Sequence, residues 1–109
     1  MAFVEAGSEG VLNGTTAVDV VAAPAAATRR LISNVHFSNQ DTVAHTVIVY
    51  KNVSGTLYEL GRELLQVNEY WTFDKLTVAD ATTKKIQAKL LEAMVTTNPS
   101  YDAAYADAT

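Results

Sequence analysis

Apolar and polar residues alternate with a period of two along several short stretches, and clusters of Gly, Asn, Asp or Pro separate them. That is the pattern of half-buried strands joined by reversals. Thr15 to Val21 forms the first such stretch, and residues 22–28, which contain Pro24, read as a connection because proline lacks the ladder donor. Arg29 to Ser38 is the second: Leu31, Val35 and Phe37 fall on one face, Arg30, Asn34 and His36 on the other, with Ile32 and Ser33 breaking the alternation. Asn39-Gln40-Asp41-Thr42 follows as a turn whose side chains can bond nearby backbone amides.

Ala44 to Lys51 places Val47 and Val49 on one side and Ile48 and Tyr50 on the other. With Asn52-Val53-Ser54-Gly55 and Thr56 to Leu60 it predicts a hairpin, in a register that sets Val49 opposite Tyr58 and Val47 opposite Leu60 and puts Tyr58 in the core. Glu69 to Phe73 alternates again, with Trp71 and Phe73 as core anchors. Lys84 to Leu90 fits a strand, but Ile86, Leu90 and Met94 also fit a helix, and periodicity alone leaves both open. Tyr101 to Asp107 reads as a closing strand.

The expectation is an all-β, antiparallel β-sandwich of about seven to eight short strands over residues 15–109. Residues 1–14, small, acidic and glycine-containing, are expected to form an N-terminal arm, frayed or docked on a neighbour. Val, Thr and Ile, which suit a pleated surface, make up 29 of the 109 residues. A hydrophobic content of 49% supports one folded domain.

A net charge of −4 argues against a surface that neutralises phosphates, so nucleic acid is not an expected partner. No apolar run reaches the roughly 20 residues of a membrane helix, and no signal-type start is present; a soluble chain made in the cytoplasm, with no membrane partner, is expected. The absence of cysteine excludes disulfides and thiolate metal sites.

Candidate chemistry is sparse. His36 and His45 flank Asp41 and could meet around a metal, but His36 lies on the expected wet face and no metal site is assigned. Glu59, Glu63 and Glu69 read as solvated strand residues. Asn13-Gly14-Thr15 and Asn52-Val53-Ser54 match a glycosylation triplet by chance. The doublets Arg29-Arg30 and Lys84-Lys85 mark strand ends. No catalytic residues, cofactor or enzymatic activity are expected, since no nucleophile elbow or phosphate loop occurs.

From Thr15 to about Leu91 the order of features resembles small structural proteins of tailed-bacteriophage virions. The features are a Pro-Ala loop, then Thr28-Arg29-Arg30-Leu31-Ile32-Ser33-Asn34-Val35, then residues 39–47, then a Tyr50-Lys51-Asn52 strand end. Leu65-Gln66-Val67-Asn68-Glu69 leads into the aromatic strand, and Ile86-Gln87-Ala88-Lys89 closes the series. The resemblance implies a β-sandwich module in the virion and a strand at Lys84 to Leu90. On that resemblance the expected role is capsid decoration (cement) by binding a major capsid protein or other virion protein, with a homotrimer as one form; a tail-tip or fibre module recognising host glycans or joining tail components is the alternative. Interface candidates are Phe3, Val4, Tyr70, Tyr101, Tyr105, Arg29 and Arg30.

Overall fold

The computed structural model describes residues 3–75, 77–80 and 84–108. They form strands β1 (Phe3–Val11), β2 (Val18–Val21), β3 (Arg29–Ser38), β4 (His45–Val53), β5 (Thr56–Leu65), β6 (Tyr70–Phe73), β7 (Thr77–Asp80), β8 (Lys84–Leu90) and β9 (Ser100–Ala108). All pairings are antiparallel. One sheet runs β1-β9-β3-β6, with β7 also on β3, and the other runs β2-β8-β4-β5.

β6 pairs with residues 35–38 of β3 and β7 with residues 29–32. The opposite edge of β3 is held by β9 along its whole length, so β6 and β7 are two halves of one edge strand. Counted that way the described residues form eight strands in the order 1-8-3-6 over 2-7-4-5, which is a jelly roll.

The core lies between the sheets and is built from Leu12, Val20, Val21, Ile32, Val35, Phe37, Val47, Val49, Leu65, Phe73, Ala79, Ile86, Ala88, Leu90 and Ala103. Phe37 stacks on Trp71 with ring centroids 5.5 Å apart, and Phe73 meets Trp71 edge-on at 5.8 Å. Phe37 and Phe73 are buried, and Trp71 packs against the core partly buried. Each such ring pair adds about 0.5–1.5 kcal/mol beyond its area.

Several expectations are corrected. The predicted arm is β1, paired residue for residue with β9 from Phe3↔Ala108 to Val11↔Ser100. Its small residues are what the pairing needs: a Cβ on Gly7 would stand 2.8 Å from the Ala103 carbonyl oxygen. The hairpin register is also shifted, pairing Lys51 with Tyr58 and Val53 with Thr56. Ser54 and Gly55 both have positive φ, at 51° and 94°, so they are the two central residues of a type I′ turn, and the loop closes one residue later than predicted. Tyr58 is 57% exposed rather than buried, because β5 is an edge strand with most of its length in solvent.

The irregular alternation in β3 has a cause. Ile32 pairs with Tyr105 but Asn34 pairs with Ala104, so Ser33 is an extra residue in a bulge that returns both Ile32 and Val35 to the core. Lys84–Leu90 is a strand, ending the helix alternative.

Candidate interaction surface

The jelly-roll topology brings four loops to one end of the molecule: residues 12–17, 39–44, 66–69 and 91–99. They are tied to one another and to the strand ends by backbone hydrogen bonds, from Leu12 N to Pro99 O, Leu90 N to Gly14 O, Leu91 N to Thr46 O, Asn39 N to Glu69 O and Asn68 N to Asn39 O, each 2.8–3.0 Å. Gly14 N also donates to Asn98 Oδ1 at 2.8 Å.

Three buried polar residues hold this end: Asn39, Asp41 and His45. The Asn39 amide Nδ2 reaches the carbonyls of Val43, Leu65 and Gln66 at 3.0–3.2 Å, while its Oδ1 accepts from Asp41 N. Asp41 Oδ1 accepts from the backbone N–H of Thr42, Thr96 and Thr97 at 2.8–3.1 Å. Its Oδ2 accepts from Val95 N at 2.8 Å and from His45 Nε2 at 2.6 Å. One carboxylate thus orders three successive amides of the long β8–β9 connection.

Burial alone would raise the Asp41 pKa, but the hydrogen bonds from Val95, His45, Thr96 and Thr42 outweigh it and hold the carboxyl far below its ordinary value. Because a carboxylate only accepts, the proton on the shared bond sits on His45 Nε2. His45 Nδ1 is buried without a hydrogen-bond partner among the described residues.

Around this polar interior the loops expose apolar side chains. Val43, Val67, Leu91, Met94 and Val95 lie in the loops themselves, and Val11, Leu64 and Tyr70 at the strand ends beside them. These are eight of the eleven large hydrophobic residues exposed among the described residues; Val4, Leu57 and Tyr58 lie toward the other end. The pairing sets Leu64 beside Thr46, whose carbonyl accepts from Leu91 N, so two of the leucines flank the start of β4.

The outer face of the β2-β8-β4-β5 sheet differs from this end. On the outer face of the β2-β8-β4-β5 sheet polar groups satisfy one another: Arg62 bonds Glu59, Gln87 bonds Asn52 and Asp19, and Lys85 bonds Asp19. Lys89 lies 5.4 Å from the Tyr50 ring centroid. Ile48 is buried on this face between Arg62 and Lys89, which flank it in register and can cover it with their aliphatic stems.

The interface candidates separate. Arg30 is engaged within the chain, forming a bidentate pair with Asp107 at 2.8 and 3.1 Å, donating to Ala22 O and lying 4.1 Å from the Tyr105 ring centroid. Its hydrogen bonds to Asp107 raise its pKa against the opposing effect of burial. Tyr101 and Tyr105 pack against the core, half-buried. Val4, Tyr70 and Arg29 are exposed. Phe3 opens β1, and its side chain lies outside the described residues.

His36 is exposed on the outer face of the other sheet, bonded to Thr72 Oγ1 at 2.8 Å and stacked on Tyr70, so the structure does not gather the two histidines. Among the described residues no group of three potential metal ligands occurs. The sequence singled out the 39–42 turn, and its two local bonds, to Asp41 N and Thr42 N, are present. It missed the capture of Val95 to Thr97, whose partners lie more than 50 positions away.

No protein-family model matches the chain, and no curated protein matches it in sequence. Solved structures share its fold at low identity. A chain of the Bacillus endospore appendages, described as disulfide-linked pili, is 10% identical with a TM-score of 0.56, covering 99% of this chain and 87% of that one. A chain of the acid-stable capsid of Helicobacter pylori bacteriophage KHP30 is 14% identical with a TM-score of 0.59, covering 100% and 94%. The Drosophila NLP core, studied for pentamer formation and histone binding, is 14% identical with a TM-score of 0.52, covering 94% and 95%. At these identities the likeness establishes the fold, an all-β jelly-roll sandwich.

Proposed function

We propose that the chain is a structural subunit of a phage particle, and within that reading a capsid-decorating protein that docks on the head surface through its loop end. The observation that carries this is the concentration of exposed apolar residues on an end whose loops are fixed by hydrogen bonds to the buried side chains of Asn39 and Asp41. A preordered apolar surface binds without first losing loop entropy. The fold shared with the KHP30 capsid chain supports the same reading, since jelly rolls recur in viral shells. The mechanism is mass action: a protein that binds only the assembled shell stabilises it by its binding free energy, with no bond made or broken.

The test is electron microscopy of native particles with this chain labelled. Copies at regular capsomer positions, retained on DNA-free heads, are expected. Copies confined to the tail, or glycan binding by the purified protein, would replace decoration with a tail or fibre role; absence from the particle would end the proposal.

A further inference from the structure

The loop end is distinguished by charge as well as by apolar exposure. Residues 12–17, 39–44, 66–69 and 91–99 contain no Lys, Arg or His. Their exposed charges are Glu69 and Glu92, and Glu63 stands just behind them on β5. Arg29, Arg30, Lys51, Lys84 and Lys85 all lie toward the opposite end. The nearest cations, Arg62 and Lys89, are engaged with Glu59 and the Tyr50 ring.

Val43, Leu64, Val67, Leu91, Met94 and Val95, six of the eight exposed apolar residues at this end, together present on the order of 500 Å², comparable with the largest patch a monomer usually shows. With a polar rim this approaches the ~800 Å² each partner contributes to a stable interface.

We infer that this end docks a protein surface with an apolar centre and a rim of Lys and Arg, rather than an identical copy of itself. Two copies meeting end to end would bring Glu63, Glu69 and Glu92 against the same acids, a like-charge juxtaposition that opposes association. A basic rim would meet them with opposite charge and would also speed encounter at low salt. The inference rests on the docking role proposed above and adds the chemistry of the partner.

The test titrates the full chain with a synthetic peptide of alternating leucine and lysine, followed by amide chemical shifts, and measures sedimentation of the protein alone. Shifts are expected at Val43, Val67 and residues 91–97. Glu92→Lys should weaken binding about threefold to tenfold, Val95→Asp should abolish it, and Tyr58→Ser at the far end should leave it unchanged. Val95→Asp should keep the thermal midpoint and the sedimentation coefficient of the parent. Shifts centred on Leu57 and Tyr58, or affinity indifferent to Glu92→Lys, would overturn the inference. So would self-association that Val95→Asp removes, since the occupant would then be a second copy. The virion reading fails separately, by absence of the chain from labelled particles, and leaves the peptide result standing.

Discussion

Asp41 concentrates more structure on one side chain than any other residue described. Its carboxylate accepts five hydrogen bonds. Its pKa in the fold is lowered from the roughly 3.9 of an unfolded chain, so below about pH 4 the unfolded state binds the extra proton. The stability it contributes is therefore fully present above that pH and is lost as pH falls below it. Urea midpoints measured from pH 7 to pH 2 should drop steeply below pH 4 in the parent. Asp41→Asn should lower the midpoint at pH 7 and flatten that acid limb, because an amide sets donors against the amides it must accept from and cannot titrate. Phe37 is the matching residue in the apolar core. Phe37→Ala should cost about 3–5 kcal/mol in urea unfolding, since a fully buried ring stacked on Trp71 leaves a cavity.

At the scale of elements, several strand positions were readable from alternation, whereas β7 (Thr77–Asp80) was not predicted although its Ala79 is buried in the core. Arg29 to Ser38 matches the predicted bounds, and Trp71 and Phe73 share the inner face as expected; Lys84 to Leu90, which periodicity left open between strand and helix, is the strand that the virion resemblance implied. Two features defeated the pattern. Bulges at Ser33 and Leu60 add a residue that alternation cannot place, and the hairpin register depends on which two residues take positive φ. Ser54 carries a φ of 51° without being glycine or asparagine. Ser54→Asn should therefore raise stability by about 0.5 kcal/mol in thermal unfolding, while a fall would contradict the I′ assignment. β1 was missed for another reason: Gly7, Ser8 and Gly10 give little hydrophobic signal, since Gly7 lies against the Ala103 carbonyl, Gly10 against the Tyr101 ring, and Ser8 bonds Val20 O. Removing residues 1–11 should sharply lower the thermal midpoint and provoke aggregation through the bared β9 edge, whereas a true arm would be dispensable.

At the scale of the whole molecule, the chain order of the strands places four loops at one end, and buried polar groups join them into one surface. The sandwich followed from the pattern, but the surface did not, because its parts are separate in sequence and meet only through topology. Individually Val43, Val67 and Val95 are unremarkable loop residues; together with Leu64, Leu91 and Met94 they make the largest apolar display described on the protein. Of the interface candidates chosen for ring size or charge, Tyr70 stands exposed beside this end, while Arg30, Tyr101 and Tyr105 make contacts within the chain. Docking through a preordered surface requires that end to be rigid. Amide hydrogen exchange of Val95, Thr96 and Thr97 at neutral pH tests this most directly. Protection comparable to the central strands, lost in Asp41→Asn, is the predicted result; exchange at the rate of an open loop in the parent protein would contradict it.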